Sequence, residues 1–148
     1  MYRTVVAALV AALALGSAGC GSGERTETVS STQLVQRLKV ACRAAERAGR
    51  RELRGTTPLA LFRAQRASLQ SIIDQIDQLE ATGRSKAELD EYKRLIRVRL
   101  DAFARVAAAD RSDQQRVLRA EIPTIDAAAG RAHRLVLAIS EQLRLTCF

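Results

Sequence analysis

The strongest constraint on this chain is a run of apolar residues at steps of three and four. Leu34, Leu38, Ala41, Ala45 and Ala48 form one such series, and Phe62, Gln65, Leu69, Ile72, Ile76 and Leu79 a second. Leu89, Tyr92, Ile96, Phe103 and Ala107 form a third, and a fourth runs from Leu118 through Ile122, Ile125, Ala129, Ala132, Val136 and Ile139 to Leu143. Steps of this size place side chains on one face of a helix, whereas a strand needs alternation. Aromatics are 3% of the chain and there is no Trp, so the β-branched and aromatic surface that sandwiches and barrels need is missing. The expectation is all-α: an up-down-up-down four-helix bundle.

Local signals mark the helix ends. Ser30 and Gln33 have capping-box spacing, with Val29 and Leu34 placed as a hydrophobic staple. Gly55 suits the end of the first helix. Thr57-Pro58 reads as N-cap and N1 of the second, which Gly83 stops. Ser85/Glu88 and Ser112/Gln115 repeat the capping-box spacing for the third and fourth. Pro123 falls inside the fourth series without shifting its phase, which predicts a kinked or briefly broken helix. The alternative starts a helix at Pro123.

The N-terminus reads as an export signal. Arg3 is followed by an apolar run, Val5–Leu15, too short to span a bilayer comfortably but suited to a signal core. Ser17-Ala18-Gly19-Cys20 resembles a bacterial lipobox, with Ser17 in place of the usual Leu. That resemblance implies a signal peptide over 1–19, removal of which leaves diacylated Cys20 as the first residue. An ordinary secretory signal cleaved near Ala18, or an uncleaved anchor, is the competing reading. Residues 20–29 are then the lipidated cysteine and a flexible tether, whose Gly21–Thr28 stretch holds no apolar residue, and 30–148 are the bundle.

With Cys20 assigned to lipid, Cys42 and Cys147 are an even pair in an exported chain, where disulfides persist. Closing so long a loop contributes up to ~4.7 kcal/mol in the chain-entropy model. Pairing requires the first helix to project past the last, or residues 145–148 to fold back. Free thiols or a metal pair are the alternatives.

Several chemistries are excluded. His133 is the only histidine, and Gly130 three residues before it removes the Glu-x-x-His unit of di-iron bundles. Met1 is the only methionine, so a His/Met haem site cannot form after signal removal. There is no P-loop, nucleophile elbow or zincin motif. Asp74, Asp77 and Glu80 share a helix side but read as a solvated acidic face. No catalytic residue, metal or cofactor is expected.

Without residues 1–19, which hold Arg3 alone among charged residues, 23 Lys and Arg face 16 Asp and Glu, a net of +7. Arg43, Arg47, Arg50, Arg51 and Arg54 fall on one stripe of the first helix. Such a stripe suits anionic lipid headgroups or an acidic protein face. The competing reading is a plain solvated face in an arginine-rich composition. Nucleic acid is a poor partner, because no aromatics interleave with the arginines.

Val40-Ala41-Cys42-Arg43 and the ending Leu143-Arg144-Leu145-Thr146-Cys147-Phe148 resemble segments of a loose group of small, uncharacterised actinobacterial lipoproteins and exported helical bundles. The resemblance supports the Cys42–Cys147 pairing and implies no activity. The functional expectation is a non-enzymatic module, lipid-anchored on the extracytoplasmic face of the cell membrane, with an interaction or envelope-structural role. The alternative is a carrier of small apolar ligands, which needs a cavity among Leu69, Ile72, Ile96 and Phe103.

Replacing Cys20 by Ser tests the anchor. The variant is expected to leave the membrane fraction of the producing cells, while the parent chain stays with it. Equal solubility of the two chains removes lipidation.

Overall fold

The computed structural model describes residues 26–139. Helices make up 81% of it, so the all-α expectation holds. In chain order the elements are β1 (Glu27–Val29), α1 (Ser31–Glu52), α2 (Pro58–Ile76), β2 (Leu79–Ala81), α3 (Arg84–Ala108) and α4 (Gln114–Ile139).

The two strands correct the sequence reading. The sequence pattern places residues 27–29 in the tether and Leu79 on the second helix. Instead β1 pairs with β2 in parallel, Glu27 opposite Leu79, Thr28 opposite Glu80 and Val29 opposite Ala81. α2 stops at Ile76, seven residues before Gly83, with Asp77 as its C-cap. The reason is a change of period. Leu79 and Ala81 are buried while Glu80 between them is exposed, and only an extended chain gives that alternation. Val29 closes the pair from the other side and is buried in the same core.

The first two helix starts are as expected. The Ser30 hydroxyl accepts from the Gln33 amide at 3.4 Å, and Gln33 Oε1 accepts from the Ser30 amide at 2.9 Å. Thr57 Oγ1 accepts from the Ala60 amide at 3.2 Å, with Pro58 opening the helix. The third start is a correction. α3 begins after Gly83, which sits at φ +60°, and no side chain caps it. Ser85 lies inside the helix, and its hydroxyl meets that of Ser31 at 2.9 Å, tying α3 to the start of α1. α4 begins at Gln114, leaving Ser112 in the preceding turn. Pro123 lies inside one helical element rather than at a helix start.

The extensive interfaces are α1 with α2 and α3 with α4. The core between them is filled by large side chains: Tyr92, Phe103, Leu34, Leu38, Ile76, Leu89, Leu95 and Ile96 are essentially inaccessible. Phe62 meets Phe103 edge to face, with centroids 5.0 Å apart. Lys93 is buried, and its ammonium donates to the carbonyls of Asp77 at 2.7 Å and Leu79 at 2.6 Å. It thereby pins the β2 turn to α3. Burial lowers its proton affinity, and the nearby Asp77 and Asp90 counteract that.

α1 and α2 meet through small residues. A Cβ added to Gly49 would lie 2.3 Å from Ser68 Oγ and 3.2 Å from the Ala64 carbonyl oxygen. The Ser68 hydroxyl is within hydrogen-bond distance of the carbonyls of Ala45, 2.9 Å away on α1, and of Ala64, 3.0 Å away. Ala45 and Gly49 on one helix therefore face Ala64 and Ser68 on the other at near-backbone contact.

That contact makes two substitutions interdependent. Gly49→Ala is expected to destabilise the chain by ~1 kcal/mol, because the clash outweighs the helix-propensity gain. Ser68→Ala is expected to cost about the same through the lost hydrogen bond. Together they should cost clearly less than the sum, since the second removes the atom with which the first collides. Urea unfolding of all four chains measures this coupling, and strict additivity would contradict the contact.

Candidate functional site

Neither α3 nor α4 packs extensively on α1 among the described residues. Between α1 and the α3–α4 pair there is a cleft of about 860 Å³. Lys39, Cys42, Arg43 and Glu46 of α1 form one wall, and Arg99 of α3 with Ile125, Asp126 and Ala129 of α4 forms the opposite one. The small-residue seam of Ala45, Gly49, Ala64 and Ser68 lines it, together with Leu69 and Ile72 of α2. At one end Leu53 and Leu61 also line it, and both are nearly half exposed, at 46% and 47%. Its volume lies in the range of small-molecule sites, which combine apolar walls with a few placed polar groups.

The placed polar group is Arg99. Its residue is 7% exposed, and its Nε and Nη1 are buried without a hydrogen-bond partner among the described residues. Burial pushes the guanidinium below its ordinary proton affinity, partly offset by the nearby Tyr92 and Asp126. An arginine nevertheless stays protonated in a protein. Asp126 is exposed and forms no ion pair with it. Tyr92, one heptad before Arg99, is fully buried, and burial raises its hydroxyl well above the usual range. A buried charge without a partner is costly, and native structures rarely retain one without a reason.

The residues singled out from sequence are distributed differently. Arg43, Arg47, Arg50, Arg51 and Arg54 are all exposed. α1 ends at Glu52, so Arg54 lies beyond it, and Arg50 pairs with Glu46 one turn back. Arg43 and Arg50 stand on the cleft wall. Cys42 also faces the cleft and is half-buried, while Cys20 and Cys147 lie outside the described residues. Asp77 pairs with Arg97, Asp74 accepts from Gln70 at 2.7 Å, and Glu80 lies in β2. Among the described residues no group of His, Cys, Asp and Glu is placed to hold a metal ion. His133 is exposed on α4. Of the four residues expected around a carrier cavity, Leu69 and Ile72 line the cleft, whereas Ile96 and Phe103 are locked in the filled core.

Arg99 was missed, although the sequence signals it. The third apolar series steps from Ile96 straight to Phe103, and the absent step of three falls on Arg99. A cation at a core position of an otherwise regular stripe was the available clue.

No family model, curated protein or solved structure matches this chain. Among the described residues no helix is long and apolar enough to cross a membrane.

Proposed function

We propose that this is a non-enzymatic, lipid-anchored extracytoplasmic protein, an up-down-up-down helical bundle whose open seam receives a small apolar or amphiphilic ligand. The observation that carries this reading is the 860 Å³ cleft with Leu61, Leu69, Ile72 and Ile125 on its walls. The topology is supported by short links between consecutive helices and by contacts that run in opposite directions along them: Ala45 with Ser68 and Gly49 with Ala64 for α1 and α2, Phe62 with Phe103 and Asp77 with Arg97 for α2 and α3. A bend in α4 at Pro123 belongs to the same proposal, because proline cannot donate to the carbonyl of Arg119. Attachment through Cys20 rests on the lipobox resemblance alone.

The Cys42–Cys147 disulfide is part of the reading. Cys42 is engaged rather than free, and with Cys20 assigned to lipid Cys147 is the remaining partner. Alkylation of the unreduced protein followed by mass spectrometry is expected to leave both cysteines unmodified. Full labelling of the two removes the bond.

Titration with the neutral fluorescent probe N-phenyl-1-naphthylamine tests the cleft. Saturable binding of one probe per chain is expected, weakened at least tenfold by Ala129→Trp, whose side chain would fill the space. Absence of saturable binding overturns the carrier reading. An interaction module then takes its place, favoured by the exposure of all five stripe arginines and of Val40, Ile122 and Leu137.

A further inference from the structure

Granting that the cleft is a ligand site, we propose that Arg99 is its head-group receptor and that the ligand is an amphiphile with one carboxylate, of the fatty-acid class. The guanidinium has the attributes of a built anion site. It is more than nine-tenths buried, it lines the cleft, and two of its nitrogens have no hydrogen-bond partner among the described residues. Its planar donor array matches a carboxylate, and charge-assisted bonds of this kind are roughly twice as strong as neutral ones. A ligand carboxylate would supply the acceptors that the described residues do not.

The rest of the cleft fits such a molecule. Among the described lining residues there are four cations, Lys39, Arg43, Arg50 and Arg99, against Glu46 and Asp126, and Glu46 is already engaged by Arg50. The wall thus attracts an anion from solution. From Cys42 to Leu53 the lining of α1 extends ~16 Å at 1.5 Å per residue. The cleft's floor is the closely packed seam of Ala45 and Gly49 against Ala64 and Ser68, its apolar side is Leu69, Ile72 and Ile125, and it ends at the exposed Leu53 and Leu61. A neutral apolar ligand would use that apolar side but would leave Arg99 as unsatisfied as before. Among the described lining residues Asp126 is the one carboxylate without an ion pair, and it opposes a bound anion.

The comparison of decanoate with decanol on the purified full chain, by isothermal titration calorimetry, decides the matter. Both carry the same alkyl chain, so their difference reports the head group. Decanoate is expected to bind at least tenfold tighter, which corresponds to ~1.4 kcal/mol. Arg99→Met, of similar volume, is expected to bring that ratio to about one, with circular dichroism verifying its fold. Asp126→Asn is expected to tighten decanoate several-fold and to keep the test decisive should Arg99→Met fail to fold. Decanol bound as tightly as decanoate by the unaltered chain overturns the carboxylate assignment and leaves the ligand site standing. So does an Asp126→Asn chain whose affinity for decanoate is unchanged or lower. Binding of neither molecule overturns the ligand site as well.

Discussion

The near-backbone contact between α1 and α2 governs the rest of the molecule. Gly49 lies so close to Ser68 that no side chain fits between them, and Ser68 bonds across to the Ala45 carbonyl. Two helices joined this way form a thin layer. The α3–α4 pair brings larger side chains, Phe103, Val106 and Leu118, to the common core, and across it Arg105 holds Glu121 through two bonds at 2.7 and 2.8 Å. The layers meet along α2 and α3, where Lys93 and the β1–β2 pair fasten the turn. Among the described residues, α1 is fastened in this way to α2 alone, and the cleft lies between it and α4.

The open seam explains how a charged residue survives on a core-facing stripe. Arg99 continues the line of Leu89, Tyr92, Ile96 and Phe103, all buried in the centre. In a closed bundle its guanidinium would be sealed among apolar side chains at a cost of several kcal/mol. Here it stands at the boundary between the filled interior and the cleft. Two other buried polar residues are satisfied internally, Lys93 by two carbonyls and Ser85 by the Ser31 hydroxyl. They are structural ties, and Arg99 is the exception among them.

The helical architecture was legible because each helix carries its own period. The small elements were less so. Leu79-Glu80-Ala81 alternates over three residues, too few to separate from the end of a helix that already shares its phase. Val29 has the position of a staple residue, and the structure places it, buried, in a strand. Ser85 carries a capping signature, but Gly83 turns the chain two residues earlier and Ser85 is drawn into a tertiary contact. The cleft was hidden for a different reason. A stripe of apolar positions says which face is covered, but not how closely two covered faces approach. That distance was set by Gly49, which the apolar series passed over in favour of Ala48.

The strand pair also changes what the basic stripe can do. If Cys20 is anchored, the linkage to the membrane enters the fold at β1, beside the start of α1. Arg43 lies twelve residues into that helix and Arg51 twenty, ~18 and ~30 Å from its beginning at 1.5 Å per residue. Six residues separate Cys20 from β1, and a coil of that length would span ~13 Å on average. With α1 upright on the membrane, the outer arginines would stand beyond the ~10 Å Debye length at 0.1 M salt. With α1 lying flat they would all reach the headgroups, and Arg43 and Arg50 would carry the cleft wall down with them. Membrane contact by the stripe and access of a membrane-derived amphiphile to the cleft therefore demand the same orientation, whereas a merely solvated stripe leaves the orientation free.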